Sequence, residues 1–412
     1  MKKVPKLRFK PTDGGEYPDW EEKTLGEIVE VMQSGVSRLL NDSDIGLPVI
    51  RSNNISNGNL NISDIKYWYN IDNQGVDLKN YFLCEGDILV NFINSIQQIG
   101  KVAIFNNLLN RDTIFTTNIL RLQVSKGVHY KFIFNYFQTK KYEDYIQSIT
   151  KPAVNQASFT TKEFKLFKIF LPSLPEQEKI AEFLSAVDEK IELRSQKVEK
   201  LKTYKKAVMQ KLFSQELRFK SEDGSDYPEW EEKTLGEVCD ITTGSTPDTE
   251  IESYYGGELL FVSPYDIDKT KVIKNTNKTL TPLGFEKMRK VKKDSVLFVC
   301  IGSTIGKVGV ASCDLTTNQQ INSLFSKEQS NDFIYYLLNY NSLKIKQLAG
   351  EQAVPIINKS EFSKLFFCFP CLAEQKKIAD FLSAIDEKIE NNEKVLEKLQ
   401  SWKKGLLQQM FA

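Results

Sequence analysis

The chain carries one unit written twice, and any fold it adopts has to satisfy both copies. Residues 7–28 read LRFKPTDGGEYPDWEEKTLGEI and residues 217–238 read LRFKSEDGSDYPEWEEKTLGEV, identical at 16 of 22 positions. A second pair, LPSLPEQEKIAEFLSAVDEKIE from Leu171 and FPCLAEQKKIADFLSAIDEKIE from Phe369, is again identical at 16 of 22 positions. The first pair is offset by 210 residues and the second by 198, so the second interior is 12 residues shorter. Self-similarity at this level reports a duplicated architecture. The interiors between these frames, 29–168 and 239–366, share only a faint pattern. GDILVNFINSIQQIGKVAIF from Gly86 answers DSVLFVCIGSTIGKVGVA from Asp294, FTTN at Phe115 answers LTTN at Leu315, and Ala153-Val154 answers Ala353-Val354. Matching frames around unmatched interiors imply one scaffold presenting two different readers.

After each interior the sequence turns helical. From Glu176 to Phe213 there is neither Pro nor Gly, and apolar residues fall at alternating steps of four and three, the spacing of a left-handed coiled coil. The seam runs Ile180, Leu184, Val187, Ile191, Arg194, Val198, Leu201, Lys205, Val208, Leu212. Its copy, 198 residues on, runs Ile378, Leu382, Ile385, Ile389, Asn392, Leu396, Leu399, Lys403, Leu406, Met410, with polar breaks at the same places. Each helix is expected to span about 57 Å at 1.5 Å per residue, long enough to act as a spacer. Large side chains also lie off the seam: Phe183, Tyr204, Met209 and Phe213, matched by Phe381, Trp402, Leu407 and Phe411. They either cap the interior domains or receive helices of a partner protein. Short β-rich runs separated by Asn, Gly, Asp and Ser clusters make each interior a compact α/β or α+β domain. The expected architecture is two globular domains (1–173 and 215–371), each followed by a long helix (174–214 and 372–412). The two helices are expected to pair antiparallel as a coiled coil and separate the domains, giving an internal pseudo-two-fold repeat.

Charge and motifs exclude several functions. Net charge is +1 and the pI near 7.4, so the chain as a whole lacks the strongly basic footprint of many nucleic-acid binders. No run of about 18 apolar residues occurs, and no apolar stretch follows the basic start, so cytoplasmic residence is expected. Five of six cysteines lie in the second half, unlike a secreted disulfide framework. Cys368-Phe-Pro-Cys371 lacks a second pair and is read as a buried thiol pair, with no metal site expected. His129 is the single histidine and has no counterpart in the second copy, so neither a His-based general base nor a His metal site is available to both halves. Gly302-Ser-Thr-Ile-Gly306-Lys307 is one residue short of a phosphate-binding loop and lacks the following Ser or Thr. Its counterpart, Ser95 to Lys101, makes it a β-turn-β element with a variable polar tip. The Pro-Asp-Trp-Glu-Glu-Lys run at Pro18 places its acids too close for a nuclease motif and is read as a strand-edge or docking segment. No methyltransferase or glycine-rich cofactor signature is present, and no cofactor is expected.

The reading candidates lie in the interiors. Polar tips able to enter a groove would use Ser95, Gln97, Gln98 and Lys101, and Ser303, Thr304 and Lys307; a plain structural turn is the alternative. Arg51 stands beside Asn53, Asn54, Asn57, Asn59 and Asn61, and Arg and Asn bond bidentately to guanine and adenine edges, although surface turns also favour Asn. Ser263, Tyr265 and Lys290 complete the candidates. The lysine runs at 287–293 and 269–278, with Lys140-Lys141, are either solvated faces or phosphate contacts.

Two interiors framed by Trp-Glu-Glu-Lys-Thr-Leu-Gly-Glu and by Leu-Pro-x-Leu-x-Glu-Gln-x-Lys-Ile-Ala leading into a long helix resemble, over the whole chain, the specificity subunit of type I restriction-modification enzymes. The resemblance implies that each interior is a target recognition domain for one half of a bipartite, asymmetric double-stranded DNA site. It implies that the helices pair antiparallel to set the gap and that methyltransferase subunits, two of them, dock on the helices and bring restriction and translocase subunits. It further implies a chain without catalysis of its own. Asn91-Phe-Ile-Asn-Ser-Ile-Gln-Gln departs from the Gly-Ser turn seen at Ile301-Gly302-Ser303, so the first tip is expected to have its own geometry. The reading from another class is a structural adaptor whose two domains bind proteins.

Overall fold

A computed structural model describes residues 5–11, 14–56, 58–152, 156–267, 270–350 and 354–411. Asn57, Ala153, Val154, Lys269 and Ala353 lie outside the described residues. The chain forms two compact units, residues 1–195 with 394–412 and residues 196–393. Each unit therefore holds one interior together with a segment of both long helices, which run Leu174–Phe213 and Leu372–Met410.

The repeated frames close each interior. Glu21–Thr24 pairs antiparallel with Lys168–Leu171, and Glu231–Thr234 with Phe366–Phe369. The Pro18 run, read as a strand edge, thus supplies the first strand of a closing ribbon. Thr24 and Thr234 then begin a short helical turn, and the Glu27 and Glu237 carboxylates accept from the threonine backbone N–H at 2.6 Å and hydroxyl at 2.7 Å. This reciprocal capping explains Thr-Leu-Gly-Glu in both copies. The Glu-Gln of the closing frame has two separate tasks. Glu176 accepts from Arg8 at 2.7 and 2.9 Å and from the Trp20 indole at 3.2 Å, which ties the leading segment to the start of the helix. Glu374 does the same with Arg218 at 3.2 and 2.9 Å and Trp230 at 3.2 Å. Gln177 and Gln375 each donate to the carbonyl of the frame proline, Pro172 and Pro370, at 2.8 Å. Both glutamates are fully buried, which only such partners permit.

Inside the frame of the first unit, an antiparallel sheet runs in the order Val29–Ser34, Ile119–Val124, Ile88–Asn91, Val102–Ile104. A smaller sheet places Leu47–Ile50 between Ile114–Phe115, to which it is parallel, and Lys66–Trp68. The second unit repeats the plan with Asp240–Thr243, Ile321–Phe325, Val296–Val299 and Val308–Ala311, then adds Val272–Ile273. Its smaller sheet sets Tyr255–Val262 parallel to Leu315–Thr317. Helices at Tyr130–Tyr136 and Lys140–Ile149, and at Asn331–Leu348, cover the larger sheets.

The seam residues meet across the helices within each unit. Ile180, Leu184 and Val187 share a core with Leu406 and Met410, and Val208 and Leu212 share one with Ile378, Leu382, Ile385 and Ile389. The lysine breaks are ion-paired across the pair: Lys205 to Asp386 at 2.5 Å and Lys403 to Asp188 at 2.6 Å, equivalent residues in the two copies. Lys202 reaches Glu393 at 2.9 Å, so in this unit partners rise on one helix as they fall on the other, an antiparallel arrangement.

The off-seam stripe is mostly spent inside the chain. Phe411 packs on Phe132 and Tyr136, with ring centroids 5.2 and 5.3 Å apart, and Phe213 stacks on Tyr340 at 5.0 Å. Met209 and Leu407 are buried beside them. Phe183 and Phe381 are covered by Phe9 and Phe219 of the leading segments. This narrows the expectation of eight docking residues to Tyr204 and Trp402, at equivalent positions and half-exposed, although the Trp402 ring also stands edge-on to Phe183 at 6.2 Å. A second correction concerns Cys368 and Cys371. The strand Phe366–Phe369 turns Phe369 inward and Cys368 outward, so Cys368 is exposed, Cys371 half-buried, and they are no buried pair.

Candidate functional site

In both units the polar candidates other than Lys290 lie on a hairpin tip of the larger sheet and a turn at the end of the smaller one. A hairpin tip joins Ile88–Asn91 to Val102–Ile104 in one unit and Val296–Val299 to Val308–Ala311 in the other. Gly100 N–H donates to Asn91 O at 2.7 Å and Gly306 N–H to Val299 O at 3.0 Å. Both glycines have positive φ, and a Cβ on Gly100 would lie 2.7 Å from the Ile146 side chain. The near phosphate-binding loop at Gly302 is therefore a hairpin tip, two residues shorter than its counterpart. Ser95, Gln97 and Ser303 are exposed on these tips, and Gln98 and Thr304 half-buried.

Beside each tip, the parallel strand of the smaller sheet ends in a four-residue turn, Arg51-Ser-Asn-Asn54 or Ser263-Pro-Tyr-Asp266. The two turns are closed by the same pair of bonds. Arg51 N–H donates to the Asn54 side-chain oxygen and Ser263 N–H to the Asp266 carboxylate, each at 2.8 Å. Asn54 N–H returns to Arg51 O at 2.9 Å and Asp266 N–H to Ser263 O at 3.0 Å. Asn54, expected among the base readers, is buried and spent on the turn and on Asn61 O and Asp64 O at 2.9 and 3.2 Å. Arg51 is half-buried against Asp64 at 2.6 Å. Asn53 and Tyr265 occupy the same turn position, and both are exposed, Tyr265 by 81%.

Lys307, expected to face phosphate, instead donates to Pro264 O at 3.2 Å and bridges tip and turn. Lys101 stands at the matching tip position and is half-buried. In the first unit the bridge comes from Asn91, whose amide donates to Ser52 O at 3.0 Å. Asn91 was not singled out from sequence; the one signal was its polar side chain at the end of an otherwise apolar strand. Lys290 lies apart from the tip, on an edge strand paired with Leu315–Thr317. It is bonded to Glu286 at 2.7 Å and lines an open groove of about 680 Å³ with Lys292 and Lys359. Lys140 is held by Glu143 and Asp144, and Lys141 by the Tyr136 hydroxyl and the Phe170 ring, so that pair is a solvated face tied to the surface. Lys271 is likewise spent on Asp332 at 2.6 Å and Ser383 at 3.1 Å.

Among the described residues the site pairs no nucleophile with a base. His129, its ionisation lowered by burial, starts a helix with its backbone N–H on Gln177 at 2.9 Å. Burial pushes the Cys239 and Cys300 thiols up to about 12, which makes them poor nucleophiles. Among the described residues no group of His, Cys, Asp or Glu is placed to hold a metal ion.

Comparison with known proteins agrees with this picture. Residues 17–203 and again 227–401 match the family described as type I restriction modification DNA specificity domain. Over 97% of this chain and 94% of its own length, a Methanocaldococcus jannaschii protein named as the MjaX type I restriction enzyme specificity subunit is 31% identical. The HindI specificity subunit of Haemophilus influenzae is also 31% identical, over 39% of this chain and 38% of that protein. Among solved structures, a type I restriction-modification S subunit from M. genitalium is similar in fold over 100% of this chain and 99% of that one, with a TM-score of 0.65 at 17% identity. No described helix is long and apolar enough to cross a membrane.

Proposed function

The chain belongs to the type I restriction modification DNA specificity family, and on that premise we propose that each interior domain reads one half of a bipartite double-stranded DNA site while the paired helices set the gap between halves. As a specificity subunit the chain directs chemistry and performs none itself. The observation that supports the reading is the turn beside each hairpin tip: the same closing bonds in both units, with exposed side chains that differ. A fixed frame with exchangeable side chains is what base-edge readout requires, since phosphate contacts position a protein and base contacts specify the sequence.

Methyltransferase subunits, two of them, would dock on the helices, with the equivalent and half-exposed Tyr204 and Trp402 as anchors, and restriction and translocase subunits would join through them. Partners that supply phosphate contacts also reconcile DNA reading with a net charge of only +1. Acting on cellular DNA places the chain in the cytoplasm. The test is selection from a pool of randomised duplexes by the chain reconstituted with its modification subunits. Two short fixed blocks at one constant separation are expected; a protein-binding adaptor would enrich no sequence.

A further inference from the structure

Resting on the DNA reading above, we propose that Asn53 and Tyr265 are paired specificity determinants, each reading one base in its own half-site from the third position of a pinned turn. The turn leaves that residue little else to do. Its first and fourth residues are bound to each other in both copies, and the fourth is anchored onward: Asn54 to Asn61 and Asp64, and Asp266 by accepting from Asn277 N–H at 2.7 Å. The second residue's carbonyl is pinned by Asn91 in one unit and by Lys307 in the other. Two unrelated side chains, from different positions of the hairpin, thus arrive at the same carbonyl. What the copies share is the bond, and the bond fixes where the third residue stands.

Folding does not account for what stands there. Asn is an ordinary turn residue, but a tyrosine 81% exposed buries little and is no turn former. The Asn53 amide has one long contact, to Asp64 at 3.5 Å, and can be released at small cost. Asn carries a donor and an acceptor that match the adenine edge, and a tyrosine ring offers apolar contact to a thymine methyl. Asn91 and Lys307 then serve as positioning residues, holding the reader at the height of the adjoining tip.

The experiment is sequence selection by the reconstituted complex carrying Asn53→Ala, Tyr265→Ala, Tyr265→Phe or Lys307→Met. Asn53→Ala should cost about five- to a hundredfold in discrimination at one base pair of one half-site. Tyr265→Ala should do the same in the other half-site alone, and Tyr265→Phe should retain the preference. Lys307→Met should weaken the position that Tyr265→Ala weakens, and add nothing to Tyr265→Ala, as expected of residues acting together. An unchanged motif in both alanine variants, or a fall that is equal on every sequence, overturns the assignment while the wild type still selects two blocks. A wild type that selects no blocks overturns the DNA reading itself.

Discussion

Removing the Glu176 carboxylate should destabilise the first unit by about 3 kcal/mol, less than removing its partner Arg8. Glu176 is wholly buried and accepts two bonds from Arg8 and one from Trp20. Charge-assisted bonds contribute about 1.5–3 kcal/mol each, and stripping one partner from a buried pair costs about 3–5 kcal/mol because the other charge stays trapped. In Glu176→Ala the charge left behind is the Arg8 guanidinium, one-fifth exposed and also bonded to Pro18 O, which can turn toward water. In Arg8→Ala the charge left behind is a carboxylate with no exposure and one remaining donor, so about 4 kcal/mol is expected. The double variant should cost no more than the worse single one, a coupling of about 3 kcal/mol. Urea unfolding followed by circular dichroism measures all three, with stability compared at constant slope. Singles below about 0.5 kcal/mol, a cost larger for Glu176→Ala than for Arg8→Ala, or strict additivity would refute the reasoning.

Phe411→Ala should cost about 3–5 kcal/mol, since the ring is buried against Phe132 and Tyr136, whereas Trp402→Ala, half-exposed, should stay within about 1 kcal/mol while weakening capture of the modification subunits in a pull-down. Alkylation of the native chain at pH 8 should label Cys84, Cys313 and Cys368, which are exposed, and spare Cys239 and Cys300, whose thiolates burial disfavours; peptide mass mapping reads the difference. Hydrogen bonds hold the Glu27 and Glu237 carboxylates, and the Arg38 guanidinium holds Asp72, below their ordinary range. Their folded values lie below the unfolded ones, so their stabilisation is complete above about pH 5 and is lost as pH falls through the lowered values; midpoints that rise between pH 5 and 3 would contradict this.

The frames were legible from sequence because two nearly identical copies reveal the heptad seam and the segments around it, while the strand pairing of Glu21–Thr24 with Lys168–Leu171 is a finding of the structure. Even so, the Lys–Asp crossings of the helices had to await structure, although Asp188 and Asp386 stand in the same repeated Asp-Glu-Lys-Ile-Glu. The interiors were less legible. FTTN and LTTN, aligned by identity, are displaced in space: Thr116 N–H bonds to Ile50 O and its counterpart bond is from Asn318 N–H to Val262 O, two residues further along the copy. Insertions at strand ends shift register without disturbing the apolar pattern, so short motifs mislead there. Side-chain roles were hardest to read. Asn54 and Lys307 have the chemistry of DNA contacts, but buried carbonyls and turn amides claim them first. Apolar residues off the helix seam signalled burial correctly and gave no indication of whether the chain or a partner supplied the cover.

The central claim, that each interior independently specifies half of one site, is tested most directly by exchanging residues 239–366 for the interior of another specificity subunit and mapping DNA methylation by long-read sequencing in cells that express the exchanged chain. One block of the methylated motif should change to the donor's, with the other block and the separation retained. A motif left unchanged, or one altered in both blocks, would contradict the account.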